Sequence, residues 1–349
     1  MLPESVPSDA EAETETETET DAEAVTGGPE TGGPAPGSAP AGSVPSDTAA
    51  PTIDLLVVGG AGVDTVVRVE RLEIPPGDSQ SVGPVHDYVG HTGNGVALGA
   101  HHLGLRTVLL DFLGDDPQGD LVRAAYRRHG LRLAHLVSPH GTPRGVNLVD
   151  AAGRRFSFYD GRHPADLRLP RDFYLPYAER SRHVHLSITG VNRDMYGDLH
   201  RLGRTTSTDL HDWDGADPHH RDYAFGSDLV FLSVAGCRGR HEEVMRAVLA
   251  GGRARVVVAT AGAEGCHLLT REDGVLRRLP AVDPGRPVVD TNGAGDAFVS
   301  GFLYAWFRGR SPLDCARAGS AAGAFACTAA GTHTAFIGSA GLDAVLNGG

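Results

Sequence analysis

One glycine-rich stretch, Asp290–Phe298, contains the residue types best suited to chemistry in this sequence. Gly293 and Gly295 allow a tight turn, and the apolar spacing from Ala297 onward predicts an amphipathic helix. The first N–H groups of a helix lack intrahelical acceptors and lie at the positive end of its dipole, so this turn can bind phosphate or a developing negative charge. Asp296 lies in the same turn and could accept a proton from a hydroxyl group. This combination suits phosphoryl transfer to an alcohol.

The basic residues of the chain exclude every mechanism that needs a lysine, because all 31 of them are arginine. A Walker A loop and a eukaryotic-type protein kinase each place a lysine on the phosphates, and a Schiff-base enzyme needs a lysine amine. The sequence excludes these three mechanisms. A phosphotransferase of this composition has to rely on backbone N–H groups, arginine and a metal ion.

The charge of the 349-residue chain is unevenly distributed. The first 50 residues contain eleven acidic and no basic residues, so the net charge of −13 leaves −2 for the rest. Residues 1–51 alternate Glu and Thr and then become rich in Gly, Pro and Ala, which predicts a disordered tail. The nearly neutral remainder gives no sign of a nucleic-acid surface or of a polybasic membrane anchor.

Compartment is indicated by the cysteines and by the apolar runs. The four cysteines are scattered and form no C-x-x-C pair, which predicts reduced thiols. No apolar run reaches membrane-spanning length, and the N-terminus lacks the features of a signal peptide. We therefore expect a cytoplasmic protein.

Residues 52–349 alternate strand and helix patterns, which predicts a three-layer α/β/α domain with a mostly parallel central sheet. Apolar runs at Ile53–Val58 and Arg255–Ala259 are typical of buried strands, and Val288-Val289 predicts the end of a strand before the glycine turn. The glycines after the first strand do not form a dinucleotide fingerprint, because Thr65 occupies the place of the third glycine. A nicotinamide oxidoreductase is thereby disfavoured.

The glycine-rich stretch resembles the D-T-x-G-A-G-D-x-F signature of the ribokinase-like (PfkB-type) sugar and nucleoside kinases: Asp290-Thr291-Asn292-Gly293-Ala294-Gly295-Asp296-Ala297-Phe298. So long a match disfavours the alternative in which Asp296 only caps a helix. The resemblance implies a ribokinase-like fold, ATP as the phosphoryl donor and Mg²⁺ as a cofactor. It implies that Asp296 is the base and that the backbone of Gly293, Ala294 and Gly295 stabilises the transferring group. It also assigns Asp290 to a monovalent-cation site, with K⁺ as the candidate ion.

A small β-sheet lid is predicted beside the main domain. Strand patterns occur at Val66–Val69 and Val82–Tyr88, and again in a hairpin at Gly145–Asp150 and Arg154–Tyr159. In the resembling family such strands, here at about 66–88 and 145–159, cover the substrate. A lid that excludes water would prevent wasteful hydrolysis of ATP.

The resemblance assigns four residues to the substrate site: Asp64, Gly90, Gly93 and Asn94. Asp64 matches an aspartate that binds sugar hydroxyls, and Gly90–Asn94 resembles the family's first signature, G-G-x-x-x-N-x-A. The sequence departs from the family pattern in three places. His91 replaces the second glycine, Asn94 comes one position early, and Gly62 stands where the family often has an asparagine.

The ATP-site residues that the resemblance implies are Thr260, Gly262, Gly265 and Gly331. The first three form a T-x-G-x-x-G pattern that follows a buried strand. The family's N-x-x-E, whose carboxylate helps to organise Mg²⁺, is missing, since Ser233 and Gly236 stand at those positions. Either phosphates and other carboxylates such as Glu242 or Glu243 hold the ion, or the activity is reduced.

The resemblance covers about residues 52–340 and implies an ATP-dependent kinase for a small-molecule sugar or nucleoside. A nucleoside kinase could stack the base on Phe156 and Phe158, although strand packing explains these residues equally well. A phosphosugar kinase would need basic residues at the substrate mouth, where Arg144, Arg154 and Arg162 are candidates. A regulatory sugar- or nucleoside-binding protein with the same fold also stays open, because the substrate and metal motifs are altered. Exposed lid edges could pair in a homodimer.

Overall fold

The computed structural model describes residues 53–74, 76–151 and 153–347. The predicted disordered tail, residues 1–51, lies outside these described residues. The described chain forms a nine-stranded sheet and a separate four-stranded sheet. Helices cover both faces of the larger sheet, so the predicted three-layer α/β/α fold with a small second sheet is confirmed.

The secondary structure alternates strand and helix over most of its length. The strands are β1 (Ile53–Val58), β2 (Gly62–Arg68), β3 (His86–Gly90), β4 (Thr107–Leu113), β5 (Arg132–Val137), β6 (Arg144–Val149), β7 (Arg155–Asp160), β8 (Ser181–Leu186), β9 (Thr205–Asp209), β10 (Leu229–Ser233), β11 (Val256–Thr260), β12 (Cys266–Thr270) and β13 (Arg277–Leu279). The helices are α1 (Thr92–His102), α2 (Pro117–His129), α3 (Arg171–Glu179), α4 (Tyr196–Arg201), α5 (Pro218–Gly226), α6 (Val234–Cys237), α7 (His241–Gly251), α8 (Ala294–Phe307), α9 (Pro312–Ala326) and α10 (Ser339–Asn347).

The nine-stranded sheet has the order β5-β4-β1-β8-β9-β10-β11-β12-β13, and the first seven of these strands are parallel. Strands β1 and β11 consist mostly of Val, Leu and Ile, which suits strands buried on both faces. One face packs against α1, α8 and α9, and the other packs against α3, α5 and α7. Parallel strands end at one edge, so the segments after β1, β8, β9, β10 and β11 lie along the edge where α/β proteins bind ligands.

The four-stranded sheet has the order β3-β2-β6-β7 and contains the predicted lid segments. Its register places Asp64 opposite Gly145, and Gly145 opposite Tyr159, so these residues share one face. Phe156 and Phe158 are each an odd number of residues from Tyr159 and therefore lie on the other face of the sheet. The face that carries Asp64 is the one relevant to a substrate.

The predicted segments differ from the structure in three places. The first lid strand, predicted at Val66–Val69, already begins at Gly62, so Asp64 lies within the small sheet. The second lid strand is His86–Gly90, shorter at its start than the predicted Val82–Tyr88. The predicted strand end at Val288-Val289 is wrong, because the segment between β13 and α8 contains no strand. Both valine side chains are more than half exposed, and the Val289 N–H donates to the carbonyl of Cys327. β-branched residues form a strand only where a neighbouring strand can pair with them.

The four cysteines are free thiols, as predicted, and three of them are buried. In residues 53–347, apart from positions 75 and 152, no helix has both the length and the apolarity needed to cross a membrane.

Candidate active site

The glycine-rich turn leads directly into α8. Gly293 precedes the helix with a φ of +76°, in the left-handed region that favours glycine. The helix begins at Ala294, which places Asp296 in its first turn, and the Ala294 N–H donates to the carbonyl of Thr291 at 3.3 Å. By helix geometry, the N–H groups of Gly295 and Asp296 have no acceptor within the helix. The anion-binding amides of the turn are therefore best provided by these two residues.

Asp296 projects from this first turn and is largely buried. Its Oδ2 atom lies 2.7 Å from Nε2 of His333, whose side chain is 3% exposed. The hydrogen bond uses one carboxylate oxygen and leaves Oδ1 as the second acceptor. A buried carboxylate at a helix start, with one oxygen fixed, is suitably arranged to take a proton from a hydroxyl.

A second carboxylate faces the same turn from the end of β9. An ideal Cβ atom at Gly295 would lie 3.8 Å from Oδ2 of Asp209. The other oxygen of Asp209 accepts the N–H of His211 at 2.9 Å. Asp209 is therefore the acidic residue that the central sheet places beside the anion site.

Asp64 occupies a space that only glycines leave open. A Cβ atom at Gly90 would lie 2.1 Å from Oδ2 of Asp64, and one at Gly145 would lie 2.4 Å from Oδ1. Gly90 ends β3 and Gly145 lies in β6, so the strands on both sides of β2 enclose the carboxylate. The predicted importance of Gly90 thus has a steric cause, and Gly145 has the same role.

His91 and Gly62 fit each other sterically. An ideal Cβ atom at Gly62 would lie 2.3 Å from Cε1 of His91, so a larger residue at position 62 would exclude the imidazole. The ring packs edge-on against Tyr159 at 5.4 Å, and its Nε2 atom lies 3.5 Å from Oδ1 of Asp64. Burial lowers the pKa of His91, which favours the neutral ring. Two separate departures from the family pattern therefore form one packing unit beside Asp64.

Gly93 and Asn94 lie at the start of α1. Gly93 allows close approach of the chain after β1, because a Cβ atom there would lie 1.8 Å from the carbonyl oxygen of Gly59. Asn94 is fully buried, and its Nδ2 group contacts both the carbonyl of Val89 and Nδ1 of His333. The structure therefore joins Asn94 to Asp296 through His333.

The lid contacts the loop before α8 through two arginines. Arg68 donates to Oδ2 of Asp290 at 3.3 Å, and Arg155 donates to Oδ1 of Asn292. Asp290 Oδ2 also accepts the N–H of Gly331 at 3.1 Å. Asp290 and Gly331 are thus neighbours, and a lid guanidinium already compensates the carboxylate.

The remaining predicted ATP residues lie in the turn between β11 and β12. Thr260 ends β11 at the ligand-binding edge of the sheet, and its hydroxyl donates to the carbonyl of Leu232. Gly262 and Gly265 have φ values of +54° and +94°. At Gly265 a Cβ atom would also lie 2.0 Å from the carbonyl oxygen of Leu279. The shape of this turn therefore requires a glycine at position 265, and Gly262 has a left-handed conformation that glycine favours.

The two positions where the metal motif is missing have structural explanations. Ser233 caps α6 by accepting the N–H of Ala235. A Cβ atom at Gly236 would lie 1.6 Å from the carbonyl oxygen of Asp212, so this backbone leaves no space for a glutamate. Glu242 and Glu243, the suggested replacements, form ion pairs with arginines close to them in sequence. The described residues contain no group of three or more His, Cys, Asp or Glu side chains that could hold a metal ion.

Sequence reasoning missed four residues that contact the predicted site: His333, Tyr159, Arg68 and Arg155. No motif marks them, because each contact joins distant parts of the chain. Backbone strain marks part of the site in the structure. Within the described part of the chain, five non-glycine residues have a positive φ, and three of them, His91, His211 and His333, lie around this site.

Comparison with known proteins identifies the kind of site. Residues 52–337 match the pfkB family of carbohydrate kinases. The chain belongs to this family. A pfkB-family protein is a phosphotransferase that acts on an alcohol group of a sugar or nucleoside, and the predicted enzyme class is confirmed.

Individual pfkB-family relatives differ in their acceptors. The chain is 49% identical over 290 residues to the acarbose 7(IV)-phosphotransferase of an Actinoplanes species, covering 83% of this chain and 97% of the relative. It is 29% identical to a nucleoside kinase of Methanothermobacter thermautotrophicus, covering 80% and 91% of the two chains. Among solved structures, a microbiome-derived acarbose kinase is 45% identical, with a TM-score of 0.79 and coverage of 85% and 99%. An Arabidopsis thaliana ribokinase is 21% identical, with a TM-score of 0.72 and coverage of 84% and 99%, and shares the fold.

Proposed function

We propose that this pfkB-family kinase transfers the γ-phosphoryl group of ATP to a hydroxyl group of acarbose or of a closely similar carbohydrate. The observation that carries the chemistry is the Asp296 carboxylate in the first turn of α8, with His333 on one oxygen. The acceptor is proposed because the relatives at 49% and 45% identity, an acarbose 7(IV)-phosphotransferase and an acarbose kinase, align over nearly their whole length.

In the proposed reaction, Asp64 and the backbone of Gly90–Gly93 hold hydroxyl groups of the acceptor under the lid. Asp296 accepts the proton of the reacting hydroxyl as its oxygen bonds to the γ-phosphorus. The bond between the γ-phosphorus and the bridging oxygen breaks, and ADP leaves. The free backbone amides at the start of α8, those of Gly295 and Asp296, stabilise the negative charge on the transferring group. No lysine takes part in this scheme, in agreement with the composition.

ATP would lie between the β11–β12 turn and the start of α8, with Thr260, Gly262, Gly265 and Gly331 as its proposed contacts. A divalent cation such as Mg²⁺ would be held mainly by the nucleotide phosphates. Asp209 fits as its protein partner, because this carboxylate faces Gly295 at the anion site. Bound there, the ion would neutralise phosphate charge.

Asp290 stays our candidate for a monovalent-cation site, with K⁺ as the candidate ion. Its carboxylate is bonded to Arg68 in this structure, so an ion at Oδ2 would have to displace that guanidinium. K⁺ dependence of the activity, in wild type and in Arg68→Ala, measures this competition. Stronger K⁺ stimulation of the variant is expected.

The two alternative acceptors receive less support from the lid. Phe156 and Phe158 lie on the face opposite to Asp64, so they cannot stack on a base that Asp64 binds. Arg154 and Arg162, two of the three arginines suggested for a phosphosugar, pair with Asp150 and Asp160. A neutral carbohydrate therefore fits the substrate face better than a nucleoside or a phosphosugar.

The test is an acceptor panel that contains acarbose, ribose, nucleosides and a phosphosugar, with ATP and Mg²⁺. ADP release and mass spectrometry of the products are measured for each compound. We expect the fastest turnover and a monophosphorylated product with acarbose. Turnover with nucleosides alone would contradict the proposed carbohydrate acceptor but would still agree with a kinase. Stabilisation by acarbose without ADP release would indicate a binding protein instead.

We further propose a homodimer through the outer face of the lid. Phe156 and Phe158 are 54% and 57% exposed there and pack on each other, beside the half-buried Val146 and Leu148. A second copy would cover this apolar face. Light scattering should show a dimer for the wild type and a monomer for Phe156→Ser/Phe158→Ser. The control Val137→Ser, an exposed valine on β5, should stay dimeric, and a monomeric wild type would contradict the proposal.

A further inference from the structure

Asp296 is the last member of a chain of three hydrogen bonds that starts at a backbone carbonyl. Nδ2 of Asn94 lies 3.1 Å from the carbonyl oxygen of Val89 and 3.0 Å from Nδ1 of His333. Nε2 of His333 lies 2.7 Å from Oδ2 of Asp296. Asn94 is fully buried and the His333 side chain is 3% exposed, so water does not compete for these bonds.

The chemistry of these groups fixes the direction of every bond. A backbone carbonyl can only accept, so the Asn94 atom facing Val89 has to be the amide nitrogen. That same NH₂ group can only donate, so Nδ1 of His333 is the acceptor. In the neutral ring the proton is then on Nε2, and His333 donates it to Asp296. The Val89 carbonyl thus determines the tautomer of a histidine that contacts the proposed base.

The His333 ring is also confined by the backbone on two sides. A Cβ atom at Gly293 would lie 2.6 Å from Cδ2 of His333, and one at Gly95 would lie 2.2 Å from Nε2. His333 itself has a φ of +53°, a region that costs energy for a residue with a side chain. The fold holds the ring against the start of α8 despite this cost.

We propose that His333 is a positioning residue that orients the Asp296 carboxylate for proton transfer. This inference rests on the proposed role of Asp296 as the base. The terminal torsion of an aspartate is broad, so a carboxylate without a fixed partner samples many orientations. The bond from Nε2 retains Oδ2 and leaves Oδ1 directed at the acceptor hydroxyl. Asn94 acts on turnover indirectly, because its hydrogen bond to Nδ1 holds the His333 ring and fixes its tautomer.

His333→Asn removes the contact with Asp296 and preserves the hydrogen bond from Asn94. The Asn Oδ1 atom occupies about the place of Nδ1 and can accept from Asn94, whereas no atom replaces Nε2. Asn tolerates a positive φ better than most residues, so the fold should be maintained. We expect kcat to fall roughly ten- to a hundredfold, with the KM values for ATP and acceptor changed less than about twofold.

His333→Gln is the conservative variant, because its amide nitrogen can occupy the place of Nε2 and donate to Asp296. We expect it to recover part of the kcat that His333→Asn loses. Recovery of this kind would not follow from a purely structural role, because Gln lacks the ring that fills the space between Gly95 and Gly293.

A double-mutant cycle decides whether His333 acts through Asp296. In an Asp296→Asn background, adding His333→Asn should change the residual kcat less than about twofold, because the base is already lost. Two independent losses that multiply would overturn the proposal, as would wild-type kcat in His333→Asn. If Asp296→Asn alone keeps full turnover, the base assignment fails and the positioning role falls with it. Melting temperatures confirm that each variant is folded.

Discussion

Asp296→Asn is expected to lose at least about a hundredfold in kcat while it keeps the fold and the affinity for ATP. The substitution is isosteric, and Asn can turn its carbonyl oxygen to accept the hydrogen bond from His333. Its NH₂ group then faces the acceptor hydroxyl, where it cannot take a proton. The chemical step loses its base, whereas the amides of the helix start remain in place. ADP release with a saturating acceptor measures the loss.

Asp120→Asn is a matched control for the same change of charge and shape. Asp120 lies in the first turn of α2, as Asp296 lies in the first turn of α8, but its side chain is 79% exposed and pairs with Arg123. The kcat of Asp120→Asn should equal that of the wild type. Asp296→Asn with a kcat close to this control would show that another group removes the proton.

The chemistry at the start of α8 could be predicted from the sequence because its parts are consecutive. A glycine turn, a carboxylate and an apolar helix pattern fix their own geometry over a few residues, and the structure has Asp296 in the first turn of α8. The parallel strands were equally predictable, since strands such as β11 are buried on both faces and consist mostly of β-branched residues. Local sequence decides these elements.

The position of His333 could not be predicted, because the packing of α8 on α9 determines it. Gly301 allows close contact, since a Cβ atom there would lie 2.7 Å from both the carbonyl of Ala318 and the side chain of Ala322. The two helices pack antiparallel to each other, and the chain after α9 therefore returns to the start of α8. His333 meets Asp296 there, 37 residues away in sequence. Small residues at helical spacing predict the close packing of the two helices, but they do not predict which side chain contacts Asp296.

The orientation of the lid strands also could not be predicted from the sequence. Alternation in Arg154–Tyr159 predicts a strand, but it cannot say which face points to the substrate. The register with Asp64 decides this, and it selects Tyr159 and not the phenylalanines. The fit between His91 and Gly62 is likewise invisible in sequence, because each residue alone is only a departure from a motif.

Gly95→Ala is expected to lower kcat/KM by about a hundredfold without raising the melting temperature. Gly to Ala in a helix interior normally stabilises a protein by up to about 1 kcal/mol. At Gly95 the new Cβ atom would lie 2.2 Å from Nε2 of His333 and 2.6 Å from Cβ of Asp296. Both side chains have to shift, and displacing a catalytic group by about 1 Å can cost about a hundredfold in rate.

Gly197→Ala provides the matched control, because Gly197 is also helical and a Cβ atom there would meet nothing within 4 Å. This variant should keep wild-type kcat/KM and gain about 0.5–1 kcal/mol of stability. The two glycines differ in what lies beside them, so the difference between the variants isolates the contact with the His333–Asp296 pair. Full activity in Gly95→Ala would mean that neither side chain has to occupy its present place during turnover, and the arrangement proposed for proton transfer would then be wrong.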